Sequence, residues 1–397
     1  RFWYADQRLG RYRPISHKAT QWPTVVAVVP ARNEADVIER TLRSLLEQDY
    51  PGNFHVVMVD DQSEDCTGDI ARQLALEHPA GARLTVEIAE DRPHGWMGKM
   101  WAIHTGLQVA EKQWPEATYQ YLTDADIKHS RGNLRELVSK AESEGLDLVS
   151  LMVRLHCKNI WEKLLIPAFV YFFQQVYPFP LINNPNSPVG GAAGGCMLVR
   201  NRALKQVGGM AAIRGEVIDD CALGLKIKRI GKIWIGLTDS EHSIRPYVGL
   251  DDIWVMVTRT AYTQLRYSPL ILVGTVIGLA LVYLFPPLVT LTWPLHGNAP
   301  AGGLAVFAWL IMMYTFQPTV RLYALAPIYG VALPVAALLY LGMTIDSAWR
   351  HWWKVGGQWK GRTGIGCNDG TLVAVQDSCL LDTQDGGRPR CAVRKYV

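Results

Sequence analysis

Four apolar runs, each followed by polar residues, set the rhythm of the first third of the chain. Residues 24–30 (Thr24-Val25-Val26-Ala27-Val28-Val29-Pro30) are apolar without alternation. A strand covered on both faces has this pattern, as in a parallel sheet. Residues 35–48 then place Val37, Ile38, Thr41, Leu42, Leu45 and Leu46 at helical spacing, and Pro51-Gly52 breaks the helix. A second buried run, His55-Val56-Val57-Met58-Val59, ends in Asp60-Asp61-Gln62-Ser63. The pattern predicts a helix over about 66–77, a strand over 84–89 and a helix carrying Trp101, Ile103, Leu107 and Val109. The fourth run, Tyr119-Gln120-Tyr121-Leu122-Thr123, leads directly into Asp124-Ala125-Asp126. Residues 133–153 add a helix and a further strand. Such β-α-β alternation predicts an α/β domain with a mostly parallel sheet and helices on both faces.

Ligands of open parallel sheets bind outside the carboxyl ends of the strands. Asn33, Asp60, Asp61, Asp124 and Asp126 all fall there. Alternate residues of a strand share a face, so Asp124 and Asp126 point the same way if strand geometry persists. Two hard oxygen ligands suit Mg²⁺ or Mn²⁺, which takes one or two carboxylates and fills its other positions with phosphate and water. An Asx-rich turn is the plainer alternative. Further on, Gly190-Gly191-Ala192-Ala193-Gly194-Gly195-Cys196 precedes the apolar run Met197-Leu198-Val199. Glycines let backbone approach a ligand closely, so Gly194, Gly195 and Cys196 are expected to floor a sugar or acceptor pocket. Asp219-Asp220 stands just before a helical pattern that continues to about residue 230. Helix capping explains one of these carboxylates but hardly two. There is no G-x-G-x-x-G after the first strand and no Walker A motif, which argues against dinucleotide-binding and P-loop folds.

The second half of the chain has a different pattern. Residues 160–180 are aromatic and apolar but carry Glu162, Lys163, Pro167 and Pro178; they read as an interfacial helix or as a buried one, broken at the prolines. Residues 270–293 are long and apolar enough to span a bilayer. A shorter stretch covers about 303–316, and a third covers 322–345, interrupted by Pro327 and Pro334. Arg259 and Arg266 precede the first stretch, Arg321 lies between the second and third, and 295–303 holds no Lys or Arg. The positive-inside rule then puts the α/β domain and Arg321 in the cytoplasm. Three full spans would leave Arg350, His351, Lys354, Lys360 and Arg362 outside, so one stretch is expected to be re-entrant or interfacial.

The expected map is a linker or membrane-surface segment at 1–22, the α/β domain at 23–268, membrane segments at 269–346, a basic juxtamembrane tail at 347–365, and a disordered or artefactual stretch at 366–397. Composition agrees, since 49% of the 397 residues are apolar and the excess follows residue 268. A net charge of +4, with Lys and Arg scattered and no nucleic-acid motif, excludes a nucleic-acid partner. Seven cysteines without C-x-x-C argue against a disulfide scaffold or zinc site and for a reducing compartment. No signal peptide is apparent. The chain begins at Arg1, and Phe2-Trp3-Tyr4 would suit the interfacial end of an anchor helix that precedes it.

Five motifs in order carry a resemblance. They are Val28-Val29-Pro30-Ala31-Arg32-Asn33-Glu34, Val59-Asp60-Asp61-Gln62-Ser63, Gly98-Lys99-Met100-Trp101-Ala102, Asp124-Ala125-Asp126 and Asp219-Asp220. Together they resemble family-two glycosyltransferases of the GT-A fold. The stretches Asp219-Asp220-Cys221-Ala222-Leu223, Arg259-Thr260-Ala261-Tyr262-Thr263-Gln264-Leu265-Arg266-Tyr267 and Trp359-Lys360-Gly361-Arg362 resemble the hopene-associated members found in bacterial hopanoid gene clusters.

The resemblance implies a nucleotide-diphosphate sugar donor held by Pro30, Arg32, Asn33, Glu34, Asp60, Asp61, Lys99, Asp124 and Arg266. It implies Mg²⁺ or Mn²⁺ on Asp124 and Asp126, with Asp220 as general base and Asp219 beside it. It also implies a lipid acceptor of hopanoid type at a bacterial cytoplasmic membrane. Processive family members carry Q-x-x-R-W, where this chain has Thr263-Gln264-Leu265-Arg266-Tyr267. That departure favours transfer of a single sugar over polymer synthesis. A non-catalytic nucleotide-sugar-binding scaffold is a further alternative.

Overall fold

The computed structural model describes residues 4–10, 21–353, 358–359 and 362–363. Most of the expected 1–22 segment, part of the 347–365 tail and all of 366–397 lie outside the described residues. The α/β part opens with β1 (Val25–Ala31), α1 (Ile38–Leu46), β2 (Phe54–Asp60), α2 (Thr67–Glu77), β3 (Leu84–Ile88), α3 (Gly98–Gln113) and β4 (Tyr119–Thr123). It continues with β5 (Ile127–Lys128), α4 (Asn133–Glu144), β6 (Leu148–Arg154), α5 (Ile160–Val176), α6 (Phe179–Ile182), β7 (Cys196–Arg200), α7 (Asn201–Gln206), α8 (Asp219–Lys228) and β8 (Ile233–Ser243). Then follow α9 (Leu250–Thr258), α10 (Ala261–Gln264), α11 (Pro269–Leu279), α12 (Phe285–Leu291), α13 (Trp293–His296), α14 (Ala299–Leu322) and α15 (Leu333–Trp352).

The eight-stranded sheet has the order β3-β2-β1-β4-β7-β6-β8-β5. β1 is parallel to β2 and β4, and β2 to β3. All seven residues of β1 are buried, which explains its unbroken apolar run. Val25, Ala27, Val29 and Ala31 pack with α1, α2 and α4, while Val28 faces the α3 and α5 side. Each such buried valine contributes on the order of 1.5–3 kcal/mol. Two strands make the sheet only mostly parallel: the short β5 runs antiparallel to β8, and β7 runs antiparallel to both β4 and β6. The reversal of β7 matters for the site. Cys196 at the start of β7 pairs with Thr123 at the end of β4, so the glycine loop before β7 arrives beside Asp124.

α5 begins with a capping box. Asn159 accepts from the Glu162 backbone N–H, and Glu162 accepts from the Asn159 N–H in return. The fully buried Glu162 carboxylate also accepts from the backbone N–H groups of Lys158 at 2.6 Å and Tyr247 at 2.8 Å. The expected break at Pro167 does not occur, and α5 runs through it. Ile166, Pro167 and Ala168 are buried there, and that packing offsets the hydrogen bond proline removes. α5 leans on the C-terminal helices. Tyr340 Oη donates to the Leu165 carbonyl at 2.9 Å, and the Tyr171 and Phe316 rings meet edge-on at 5.2 Å. One hydrophobic core therefore runs from the sheet through α5 into α14 and α15.

The apolar stretches also differ in extent from expectation. α14 spans 24 residues and continues through Pro318, whereas the pattern predicted only 303–316. Leu322 ends α14 and does not begin the third stretch. A 3₁₀ turn, Pro327–Ala332, follows, and Pro334 sits in the first turn of α15, where a missing N–H breaks no helical bond. Among the described residues, four segments are long and apolar enough to cross a membrane: Ile160–Ile182, Pro269–Leu291, Ala299–Leu322 and Pro327–Trp352.

Beneath β4 lies a buried polar network. Thr123 Oγ1 donates to the Gly195 carbonyl at 2.8 Å and lies 2.9 Å from His129 Nε2. His129 Nδ1 lies 3.2 Å from Glu241, whose carboxylate also accepts from the Ser130 backbone N–H at 3.0 Å and from Ser130 Oγ at 2.6 Å. These bonds tie the turn after β4, the glycine loop and β8 into one frame.

Two substitutions test this architecture by thermal unfolding of the detergent-solubilised protein. Thr123→Val removes the hydroxyl that serves both Gly195 and His129, and the expected loss is about 1–3 kcal/mol. Glu162→Ala strips the Lys158, Asn159 and Tyr247 N–H groups of their shared acceptor, with an expected loss on the order of 3 kcal/mol.

Candidate active site

A cavity of about 1010 Å³ opens at the carboxyl ends of the central strands. Its polar part is strongly acidic. Glu34, Asp124, Asp126, Glu216, Asp219, Asp220 and Asp252 line it, against the cations Lys99, Arg245 and Arg259. Its other part is apolar, walled by Phe169, Phe172, Phe173 and Val176 of α5, Leu279 of α11 and Tyr340 of α15. Gly194 and Gly195 line the cavity as well.

Lys99, in the first turn of α3, joins the carboxylates of distant segments. Its Nζ lies 2.8 Å from Asp124 Oδ1 and 3.5 Å from Asp219 Oδ2. Burial alone would discharge the ammonium, but the charges of Asp124 and Asp219 outweigh it and raise Lys99 above the usual lysine range. Asp220 is anchored by two backbone donors, the Gly194 N–H and the Cys221 N–H, each at 2.7 Å. Burial, together with the neighbouring charge of Asp219, pushes its carboxyl up to about 6, with Lys99 and the two N–H groups opposing. Asp126 Oδ2 accepts from Ser243 Oγ at 3.1 Å and pairs with Arg245 Nε at 3.3 Å, and the Arg245 guanidinium reaches Glu34 as well.

The glycine cluster splits into two uses. A side chain on Gly194 would meet Asp220 Oδ2 at 3.2 Å, so this glycine admits the carboxylate to the cavity. Gly190 and Gly191 instead let the backbone touch α8. A Cβ on Gly190 would lie 2.6 Å from the Leu225 Cα, and one on Gly224 would lie 2.6 Å from the Gly191 carbonyl carbon.

Not every expected site residue reaches this cavity. Pro30, Glu34, Lys99, Asp124, Asp126, Gly194, Gly195, Asp219 and Asp220 do. Arg32, Asn33, Asp60 and Asp61 lie in an interlocked pair of turns beyond β1 and β2. Arg32 donates to the carbonyls of Asp61 and Gln62 and pairs with Glu64. Asn33, at φ 50°, accepts from the Glu64 N–H, and Asp60 accepts from the Ser63 N–H. Cys196 turns away from the cavity, because strand alternation directs its thiol to Tyr121 Oη, 3.2 Å off on the opposite face. Arg266 is exposed and does not line the cavity, since the chain turns there in left-handed backbone after α10. Arg259, at the end of α9, does line it.

Arg245 and Ser243 are the site residues that pattern reading missed. Ser243 ends β8 and Arg245 follows it, so the strand-end rule that singled out Asp60 and Asp124 applied to them too. The long polar run of Thr238-Asp239-Ser240-Glu241-His242-Ser243 hid where β8 stops.

Among the described residues no group of three or more His, Cys, Asp or Glu side chains is placed to cage a metal ion. Asp124 and Asp126 are two carboxylates on one turn in an acidic cavity. That donor set fits an ion of the Mg²⁺ or Mn²⁺ type, which leaves its remaining positions to phosphate and water.

Comparison with known proteins bears on the fold that carries this cavity. The sequence model of glycosyl transferase family 2 matches residues 26–208. Glycosyltransferase AglE of Haloferax volcanii is 30% identical over 128 residues, which cover 32% of this chain and 38% of that protein. The 4,4'-diaponeurosporenoate glycosyltransferase of Staphylococcus haemolyticus is 29% identical over 83 residues, 21% of this chain and 20% of that one. The chain thus spans between 20% and 38% of the length of the curated relatives it matches. The solved structure of a mannosyltransferase, PcManGT, from Pyrobaculum calidifontis in complex with GDP-Man and Mn²⁺ is similar in fold. It superimposes with a TM-score of 0.50 at 20% identity, covering 85% of this chain and 93% of that one. Residues 26–208 thus match the model of glycosyl transferase family 2, and the chain has the GT-A fold.

Proposed function

We propose that this protein is a membrane-bound, metal-dependent, inverting glycosyltransferase that moves one sugar from a nucleotide-diphosphate sugar to the hydroxyl of a lipid. The observation that carries this reading is the position of Asp220. It accepts from the Gly194 N–H in a cavity that also holds Asp124, Asp126 and the aromatic residues of α5.

In this reading the donor's diphosphate lies in the acidic part, near Asp124, Asp126 and Lys99. A divalent ion held there by Asp124 and Asp126 would supply Lewis-acid charge neutralisation for the leaving diphosphate. The nucleotide extends toward the paired turns of Arg32, Asn33, Asp60 and Asp61. The acceptor lies in the aromatic part, with its hydroxyl at Asp220. Asp220 takes the hydroxyl proton while the acceptor oxygen bonds to the anomeric carbon and the bond from that carbon to the diphosphate breaks. Attack from the side opposite the diphosphate inverts the anomeric centre. Asp219 keeps Lys99 between the two carboxylate sets and raises the basicity of Asp220.

A lipid acceptor is supported by the wall of Phe169, Phe172, Phe173, Leu279 and Tyr340, which offers aromatic and aliphatic surface contributed by helices apolar enough for a bilayer. The acceptor class implied by the sequence resemblance, a hopanoid or related polyprenoid lipid, suits such a wall. Arg259 and Arg266, which precede the apolar stretch at 270–293, support an α/β domain on the cytoplasmic side, and the sequence resemblance supports a bacterial inner membrane.

The test is transfer from labelled nucleotide sugars in membranes that contain candidate lipids. Asp220→Asn and Asp126→Ala are each expected to lower turnover by about 10²-fold or more. Unchanged transfer in both variants would sink the proposal. A pH profile checks the base directly. Asp220 must be ionised to accept the proton, so kcat/KM is expected to rise with pH up to about 6 and to level off above it. Asp219→Asn removes the like charge and should move that rise to lower pH. A profile that stays flat across this region removes Asp220 from the role.

A further inference from the structure

We propose that Arg245 is a positioning residue that acts as resident counter-cation of the metal site. It holds Asp126 and Glu34 while the donor is absent, and so makes binding of the divalent ion conditional on the donor's diphosphate. This rests on the metal reading of Asp124 and Asp126 given above.

Backbone pairing puts Arg245 where it is. β5 pairs antiparallel with β8, with Ile127 opposite Ser243, and the Ile244 N–H donates to the Asp126 carbonyl at 2.9 Å. The residue after Ile244 is thereby delivered over the Asp126 side chain. Its Nε lies 3.3 Å from Asp126 Oδ2, and the same oxygen accepts from Ser243 Oγ at 3.1 Å. The far end of the guanidinium pairs with Glu34, which is only 8% exposed. Arg245 thus bridges the end of β1 and the turn after β4.

A guanidinium cannot shed its proton in a protein, so this charge is permanent. A divalent ion on Asp126 needs the oxygens that Arg245 holds, and it would be repelled by the cation beside them. To bind alone, it must displace Arg245 and break that cation's pair with the buried Glu34 carboxylate, which is costly. A nucleoside diphosphate changes both conditions. Its phosphates complete the ion's coordination, and they give the displaced guanidinium an anion that it can meet with two parallel hydrogen bonds. Lys99 guards Asp124 in the same sense, but Asp219 shares its charge, so Arg245 is the cation whose removal isolates the effect. Arg259 lines the same cavity and pairs with neither carboxylate of the Asp124-Ala125-Asp126 turn, which makes it the control for overall charge.

The experiment measures Mn²⁺ binding to the full chain in detergent by electron paramagnetic resonance, without nucleotide and then with UDP or GDP. Wild type is expected to bind Mn²⁺ weakly alone and tightly with a nucleoside diphosphate. Arg245→Gln is expected to bind Mn²⁺ alone at least about tenfold more tightly, roughly 1.4 kcal/mol. Its coupling between Mn²⁺ and the nucleotide should shrink, because linkage is reciprocal. Arg259→Gln should bind Mn²⁺ about as wild type does, as an exposed charge acts weakly at a distance. If Arg245→Gln does not fold, Arg245→Lys serves, since one ammonium cannot bridge both carboxylates and a gain of about threefold is expected. No gain in the Arg245 variants, or an equal gain in Arg259→Gln, overturns the proposal. If wild type binds no Mn²⁺ even with nucleotide, the metal reading itself falls, and this proposal with it.

Discussion

Carboxylates from four places in the chain converge on one cavity, and like charges held that close oppose one another unless cations stand between them. Lys99 between Asp124 and Asp219, and Arg245 between Asp126 and Glu34, supply those cations. The fold around them serves to keep the pairs in register. α3 presents Lys99 in its first turn, the β5–β8 pairing presents Arg245, and the reversed β7 brings Gly194 to Asp220. Without these placements the same carboxylates would repel, protonate or face solvent. With them the cavity stays acidic enough to hold a cation and leaves one carboxylate with a raised affinity for protons.

A second constraint comes from α5. A helix that begins in a capping box beside the sheet and then packs against α14 and α15 cannot move independently of either. Its buried Glu162 also accepts from the Tyr247 N–H, two residues beyond Arg245. The anchor that starts an apolar helix therefore also holds the segment that carries a site cation. The aromatic side of the cavity and its charged side are fastened at one point, which is what a reaction between a water-soluble donor and a membrane-dissolved acceptor would require.

Much of this was legible along the chain. The unbroken apolar runs at β1 and β2, the helical spacing of α1 and the carboxylates after β2 and β4 follow directly from burial on both faces of a parallel sheet and from where such strands end. Other residues misled for stated reasons. Pro167 looked like a helix end because a proline removes a donor, yet packing on both sides kept the helix whole. Cys196 looked like part of the floor because it adjoins Gly195, yet the two-residue period of a strand sent its side chain to Tyr121. Arg266 looked like a phosphate ligand by family position, whereas left-handed backbone turned it outward.

Periodicity by itself determined the order of strands and helices, the apolar segments and the identity of the residues at most strand ends, because each depends on neighbours within a few positions. Which of those ends meet was decided only in three dimensions. The antiparallel entry of β7, the pairing of Ile127 with Ser243 and the seat of α5 against α15 join residues more than a hundred positions apart in the last two cases and over seventy in the first. Contacts of that range leave no mark on local hydrophobic spacing. That is why Asp124 could be picked out from its strand, while its partner Lys99 and the neighbouring pair of Asp126 with Arg245 became visible only once the chain had folded.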